Sequence, residues 1–124
     1  MDQSTILVVE DDPTLRSSLV YCLEEGGLPA IGIANADEAL AFLLEEADNV
    51  AAVLTDVMMP GTTDGLQLAG MVARQWPQII VLVTSGRVRP IEDLPRNAHF
   101  LPKPWKPSQV IAAIQKAALD RMAA

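Results

Sequence analysis

No cluster of lysine or arginine occurs in this chain: nine basic residues face sixteen acidic ones, a formal net charge of -7. Phosphate neutralisation needs clustered cations, so direct nucleic-acid binding is disfavoured. One cysteine, Cys22, leaves no partner for an internal disulfide; it reads as a small apolar residue on a helix rather than a redox centre. There is no apolar run long enough to cross a bilayer and no charged-then-apolar leader, so the expectation is a cytoplasmic setting without membrane insertion. Repeats, low-complexity tracts and linkers are absent too. With half its residues apolar and a fifth charged, the chain has a folding composition, and 124 residues suit a single domain over 1–124 with one core and one site.

What is present is a regular alternation of apolar and amphipathic runs. "TILVV" (Thr5 to Val9) reads as a buried strand. A helix follows from Pro13 to Glu25, capped by Asp12, carrying Leu15, Leu19 and Leu23 at helical spacing and stopped by Gly26-Gly27. "AIGI" is a second strand; Asn35 then caps a helix with Glu38 as its reciprocal partner, and Ala36, Leu40, Leu43 and Leu44 form its apolar face. "AAVLT" (Ala51 to Thr55) is strand three, Asp64-Gly65 opens a helix to about Gln75, "IIVLVT" (Ile79 to Thr84) is strand four and "HFLP" (His99 to Pro102) strand five. The last helix runs from Pro107 to Met122 on a stripe of Val110, Ile111, Ile114 and Ala118. Pro90 and Pro95 stand where a fourth helix belongs, at about 3 kcal/mol for each interior proline, so that helix is expected to be short or missing. Five near-continuous apolar strands separated by helices imply a doubly wound parallel α/β sheet with helices on both faces. Ligands then bind beyond the carboxyl ends of the strands, at the reversal point between strands one and three of the order 2-1-3-4-5.

At that edge the sequence gathers polar residues: Glu10, Asp11 and Asp12 after strand one, Asp56 after strand three, Thr84 and Ser85 after strand four, Lys103 after strand five. Neighbouring carboxylates repel unless protonated or neutralised by a cation. Oxygen-only donors without His or Cys in reach point to Mg²⁺ rather than Zn²⁺. A hydroxyl and an ammonium opposite would complete a cradle for a tetrahedral anion, and phosphoryl transfer asks chiefly for positioning and charge neutralisation. Asp56, at the tip of the central strand, is the natural covalent acceptor.

Together the fragments "VVEDD", "TDVMMPGTTDG", "VTSG" and "LPKPW", in order and each at a strand end, make the chain resemble a response-regulator receiver domain of two-component signalling over essentially its whole length, as a stand-alone, flavodoxin-like module. The resemblance implies Asp56 as phosphoacceptor; Asp11 as direct Mg²⁺ ligand with Glu10 acting through water; Asp56 and the Met58 carbonyl as further ligands; Thr84 as switch hydroxyl; and Lys103 as partner of the phosphoryl oxygens. It further implies a cis Lys103-Pro104 bond and places Phe100 where a rotating aromatic couples phosphorylation to output. A histidine kinase or histidine phosphotransfer protein would donate. A downstream protein target or a phosphorylation-dependent homodimer would read the result, and the domain would not be a turnover enzyme. No output domain remains after Met122, so output is expected through a protein contact, unless the chain is excised from a longer one.

Some of these residues have plainer readings. Asp12 and Asp64 serve as helix caps, His99 as a strand residue rather than a relay histidine, Phe100 as core and Ser85 as a loop hydroxyl. Three departures from the family pattern stand out. One extra residue lies between Pro60 and Asp64, Ser85 replaces a small apolar residue and could narrow access to a phosphoryl group, and "RVRPIEDLPRN" replaces a helix. That last segment is expected to be mobile until phosphorylation or a partner orders it. Rival readings are a degenerate receiver serving as an interaction module, an aspartate-nucleophile phosphatase and a flavin- or nucleotide-binding module. The phosphatase would need a second Asp where Met58 stands, and the nucleotide module would need glycines where "VVEDDP" has acids.

Overall fold

β-branched and other apolar residues fill the short runs that separate the amphipathic ones; the runs that become the three inner strands are buried almost throughout, while those that become the two edge strands are only partly covered. The computed structural model describes residues 5–57, 64–85 and 98–123. Its strands are β1 (Thr5–Val9), β2 (Ala30–Ile33), β3 (Val50–Asp56), β4 (Ile80–Ser85) and β5 (Ala98–Pro102). Its helices are α1 (Pro13–Glu25), α2 (Ala36–Glu46), α3 (Gly65–Gln75) and α4 (Pro107–Ala123), with a 3₁₀ turn at Ala47–Asn49. The strands form one parallel sheet in the order β2-β1-β3-β4-β5, the expected doubly wound topology. Whether a short helix lies between Ser85 and Ala98, the path of the loop after Pro60 and the state of Arg87 to Asn97 all lie outside the described residues.

Local chemistry sets the helix ends. Asp12 Oδ1 accepts from the Thr14 and Leu15 amides at 2.9 and 3.1 Å, ahead of Pro13 in the first turn. α1 closes on Gly27 at φ +90°, a conformation costly for any residue with a Cβ; the Gly27 and Leu28 amides donate back to the Glu24 and Leu23 carbonyls. Asn35 caps α2 by accepting from the Glu38 amide at 2.8 Å, but the Glu38 carboxylate meets the Asn35 side-chain amide rather than its backbone, so the expected reciprocal box is incomplete. The complete capping box belongs to α3: Asp64 accepts from the Gln67 amide, and the Gln67 side chain accepts from the Asp64 amide.

Period-two alternation divides the core. One layer takes Leu7, Val9, Val53, Val81 and Val83 against α2 and α3, with Leu68 and Val72 from α3. The other takes Ile6, Val8, Ala52, Leu54, Ile80 and Leu82 against α1 and α4, with Leu23, Val110 and Ala117. Two helix faces depart from the sequence expectation. In α2, Ala39 is buried and Leu44 is exposed; in α4 the buried position is Ala117, while Ala118 faces solvent. In both, apolar residues occupy adjacent positions, and only the sheet they dock against selects between them. Among the described residues no helix is long and apolar enough to cross a membrane.

Candidate functional site

The layer that packs on α1 and α4 runs off the sheet into polar residues. Continuing the alternation, Ile6 and Val8 lead to Glu10, Ala52 and Leu54 to Asp56, Ile80 and Leu82 to Thr84, and Leu101 to Lys103. The ladder registers these groups across neighbouring strands: Val8 pairs with Leu54, Asp56 with Thr84, and Thr84 with Leu101. Backbone bonds extend the ladder past the strand ends, from the Val57 amide to the Thr84 carbonyl at 3.1 Å and from the Lys103 amide to the Ser85 carbonyl at 2.9 Å. Residues from four strands, far apart in sequence, therefore converge because register and pleat are fixed by the core beneath them.

The principal contact is an ion pair: Lys103 Nζ lies 2.6 Å from Asp56 Oδ2. The two side chains retain 29% and 17% exposure, so the pair opens to solvent and to an incoming group. Lys103 is presented by a turn whose Lys103-Pro104 bond is cis, as the resemblance implied. Thr84 is buried beside them, and its Oγ1 accepts from Trp105 Nε1 at 3.2 Å.

Among the described residues Glu10 is the most enclosed acid, 4% exposed. Its Oε2 accepts from the Asp12 amide at 3.1 Å, and Arg16 Nη1 donates to its backbone carbonyl at 2.9 Å. Burial pushes the Glu10 carboxyl above its ordinary value; a hydrogen bond with Asp11 and the Asp56 charge push the same way, against the Asp12 amide and Lys103. Asp11 is exposed. Among the described residues no three acidic, His or Cys side chains are gathered into a ready cation cage. The donor set nevertheless fits a hard cation: all donors are oxygens, and the enclosed Glu10 feels two further carboxylates that a cation would relieve. The Met58 carbonyl lies outside the described residues.

Of the remaining expectations, Asp12 and Asp64 are caps. His99 is a half-buried strand residue registered with Leu82. Ser85 is buried within β4 rather than in a loop. Phe100 is half-buried, registered with Val83, on the opposite pleat from Leu101. Three contributors escaped the sequence reading. Arg16 looks like an ordinary solvated helix residue until its guanidinium meets the Glu10 carbonyl. Trp105 sits in "LPKPW" but reads as packing. Gly65 reads as part of a cap, yet a Cβ there would fall 1.7 Å from the Asp56 carbonyl oxygen, so α3 can begin against the acceptor strand only on a glycine.

Comparison with known proteins agrees with the fold. The chain is 32% identical over 121 residues to the hydrogenase transcriptional regulatory protein HoxA of Cupriavidus necator, spanning 93% of this chain and 24% of that protein. It is 32% identical over 115 residues to the response regulator receiver protein CpdR of Brucella abortus, spanning 90% of this chain and 93% of CpdR. Thus the chain covers about a quarter of the length of HoxA and nearly all of CpdR. Among solved structures, a response regulator receiver domain protein from Clostridium thermocellum shares the fold with a TM-score of 0.85 over 97% of this chain and 98% of that one, at 22% identity. The family model for the response regulator receiver domain matches residues 6–115, and the chain belongs to that family.

Proposed function

We propose that this receiver accepts a phosphoryl group on Asp56 from a histidine kinase or histidine phosphotransfer protein and thereby switches a protein-interaction surface. The observation that carries the reading is the Lys103–Asp56 ion pair at 2.6 Å, set at the carboxyl edge of the sheet with Thr84 in register beside it. A carboxylate held there by an ammonium is oriented for attack, and the same ammonium can follow the charge onto the incoming phosphoryl oxygens. Transfer breaks the phosphorus–nitrogen bond of the donor histidine and forms a phosphorus–oxygen bond to the Asp56 carboxylate; the imidazole leaves with a proton from solvent. The Thr84 hydroxyl can donate to one phosphoryl oxygen and Lys103 Nζ to another. Mg²⁺ held by Glu10, Asp11, Asp56 and the Met58 carbonyl would neutralise the remaining charge of the transferring group. Water attack on phosphorus later returns the carboxylate, so the chain is a signalling domain rather than a turnover enzyme.

Within 1–124 the reading is one receiver domain, working in the cytoplasm, whose altered surface meets a downstream protein or a second copy of itself. Phe100, on the pleat opposite Leu101, is one route from the site to that surface. Intact-mass measurement after incubation with Mg²⁺ and a small acyl phosphate tests the acceptor. A single added phosphoryl group that requires Mg²⁺ and disappears in Asp56→Asn is expected. A folded parent that gains nothing, with that donor or with a kinase's phosphohistidine, would leave only the interaction-module reading.

A further inference from the structure

Thr84 is 4% exposed, and its hydroxyl oxygen is held by the Trp105 indole N–H at 3.2 Å. An indole can only donate, whereas a threonine hydroxyl has one proton to give and two lone pairs to fill. The bond therefore occupies a lone pair of Oγ1 and anchors that oxygen toward Trp105. Trp105 follows Lys103 by two residues, so one short turn carries both the cation on Asp56 and the donor on Thr84. The half-buried indole packs against the α1–α4 core layer. It also lines a cleft of about 250 Å³ with Leu15, Leu19, Lys103 and Pro104.

We propose that Trp105 is a positioning residue for Thr84: its indole N–H holds Oγ1 while Asp56 is bare and releases it when the hydroxyl turns to a phosphoryl oxygen. The inference rests on Asp56 being the phosphoryl acceptor. A phosphoryl oxygen only accepts, so it must receive the Thr84 proton; the proposed release follows if Thr84 turns so as to carry Oγ1 from the indole toward Asp56, a movement that lengthens the indole bond. A half-buried N–H deprived of its acceptor opposes that movement, biasing the site toward the bare state by about fivefold. Released, the ring has the cleft beside Leu15 and Leu19 to move into, so the change reaches α1. Phe100, on the other pleat, provides a separate route.

Trp105→Phe keeps a ring and removes the N–H. Parent, Trp105→Phe, Thr84→Val and the double variant are titrated with beryllofluoride, a tetrahedral phosphoryl stand-in, in Mg²⁺, with bound fluoride read by ¹⁹F NMR. The expected result is about fivefold tighter binding to Trp105→Phe than to the parent, and no such gain once Thr84 is valine. In the parent, the Trp105 indole proton resonance should move upfield on saturation as its bond is lost, while that of Trp76 stays in place. Equal or weaker binding by Trp105→Phe, or a gain that persists in Thr84→Val, overturns the role of Trp105 alone. If Trp105→Phe does not fold, an unmoved indole resonance in the saturated parent does the same. A parent that binds no more beryllofluoride than Asp56→Asn overturns the acceptor reading, and this inference with it.

Discussion

Replacing Gly65 by alanine should damage both the fold and the acceptor, and the structure sets the size of the damage. The new Cβ would lie 1.7 Å from the Asp56 carbonyl oxygen, 2.7 Å from its carbonyl carbon and 3.0 Å from the Val57 Cα. All three neighbours are backbone, so no side-chain rotation relieves the overlap. The oxygen and the new carbon must part by about 1.7 Å to reach ordinary contact, by moving either the start of α3 or the tip of β3. α3 is held by its Asp64–Gln67 capping box and by the Gly65 amide donating to the Val57 carbonyl at 3.2 Å. β3 is paired on both sides. Overpacking of this kind costs about 1–3 kcal/mol, against a helix-propensity gain of alanine over glycine of up to about 1 kcal/mol. The net loss, up to about 2 kcal/mol, lowers the thermal midpoint by up to roughly 10 °C for a domain of this size. Because Asp56 itself shifts, and a displacement of about 1 Å at a reacting group can cost about 100-fold, phosphorylation should slow by a similar factor. Circular dichroism melting and a time course of phosphoryl incorporation measure the two. A Gly65→Ala protein that melts with the parent and is phosphorylated at the parental rate would refute the close approach.

Other outcomes follow from the same geometry. Lys103→Met should move the thermal midpoint by only a few degrees, since a partly exposed pair contributes about 0–1 kcal/mol, while lowering phosphoryl incorporation more than about tenfold; equal incorporation in both proteins would count against the role of Lys103. Asp12→Ala should cost about 1 kcal/mol in urea unfolding through loss of the α1 cap, yet leave Mg²⁺-dependent phosphorylation intact, because Asp12 bonds amides rather than facing the acceptor. The raised Glu10 pKa has a definite sign. Glu10 favours the folded state fully below its ordinary value of 4.5, and that contribution is lost as pH rises through the raised value. In metal-free buffer, the stability difference between parent and Glu10→Gln should therefore turn against the parent as pH rises from 4.5 to neutrality. Mg²⁺ at about 100 times its dissociation constant should restore the parent by about 2.7 kcal/mol; a difference independent of both pH and Mg²⁺ would contradict this.

Sequence alone determined the strand and helix order, the parallel sheet and the edge at which the polar groups collect, because each depends on local periodicity and on punctuation by proline and glycine. Glu10, Asp11, Asp56, Thr84 and Lys103 were legible for the same reason, each being the polar residue that ends an apolar run. Only the tertiary structure decided which of two adjacent apolar residues in α2 and α4 is buried, since Leu44 and Ala118 satisfy the helical stripe but it is their neighbours Leu43 and Ala117 that are buried. It alone brought Lys103 onto Asp56 and the Trp105 indole onto Thr84, contacts spanning 47 and 21 residues. Likewise, nothing in the dipeptide Asp64-Gly65 announces that a strand carbonyl passes 1.7 Å from where a side chain would stand. Periodicity records how each segment meets the core; contacts between polar tips depend on register, and register is settled when all five strands pack at once.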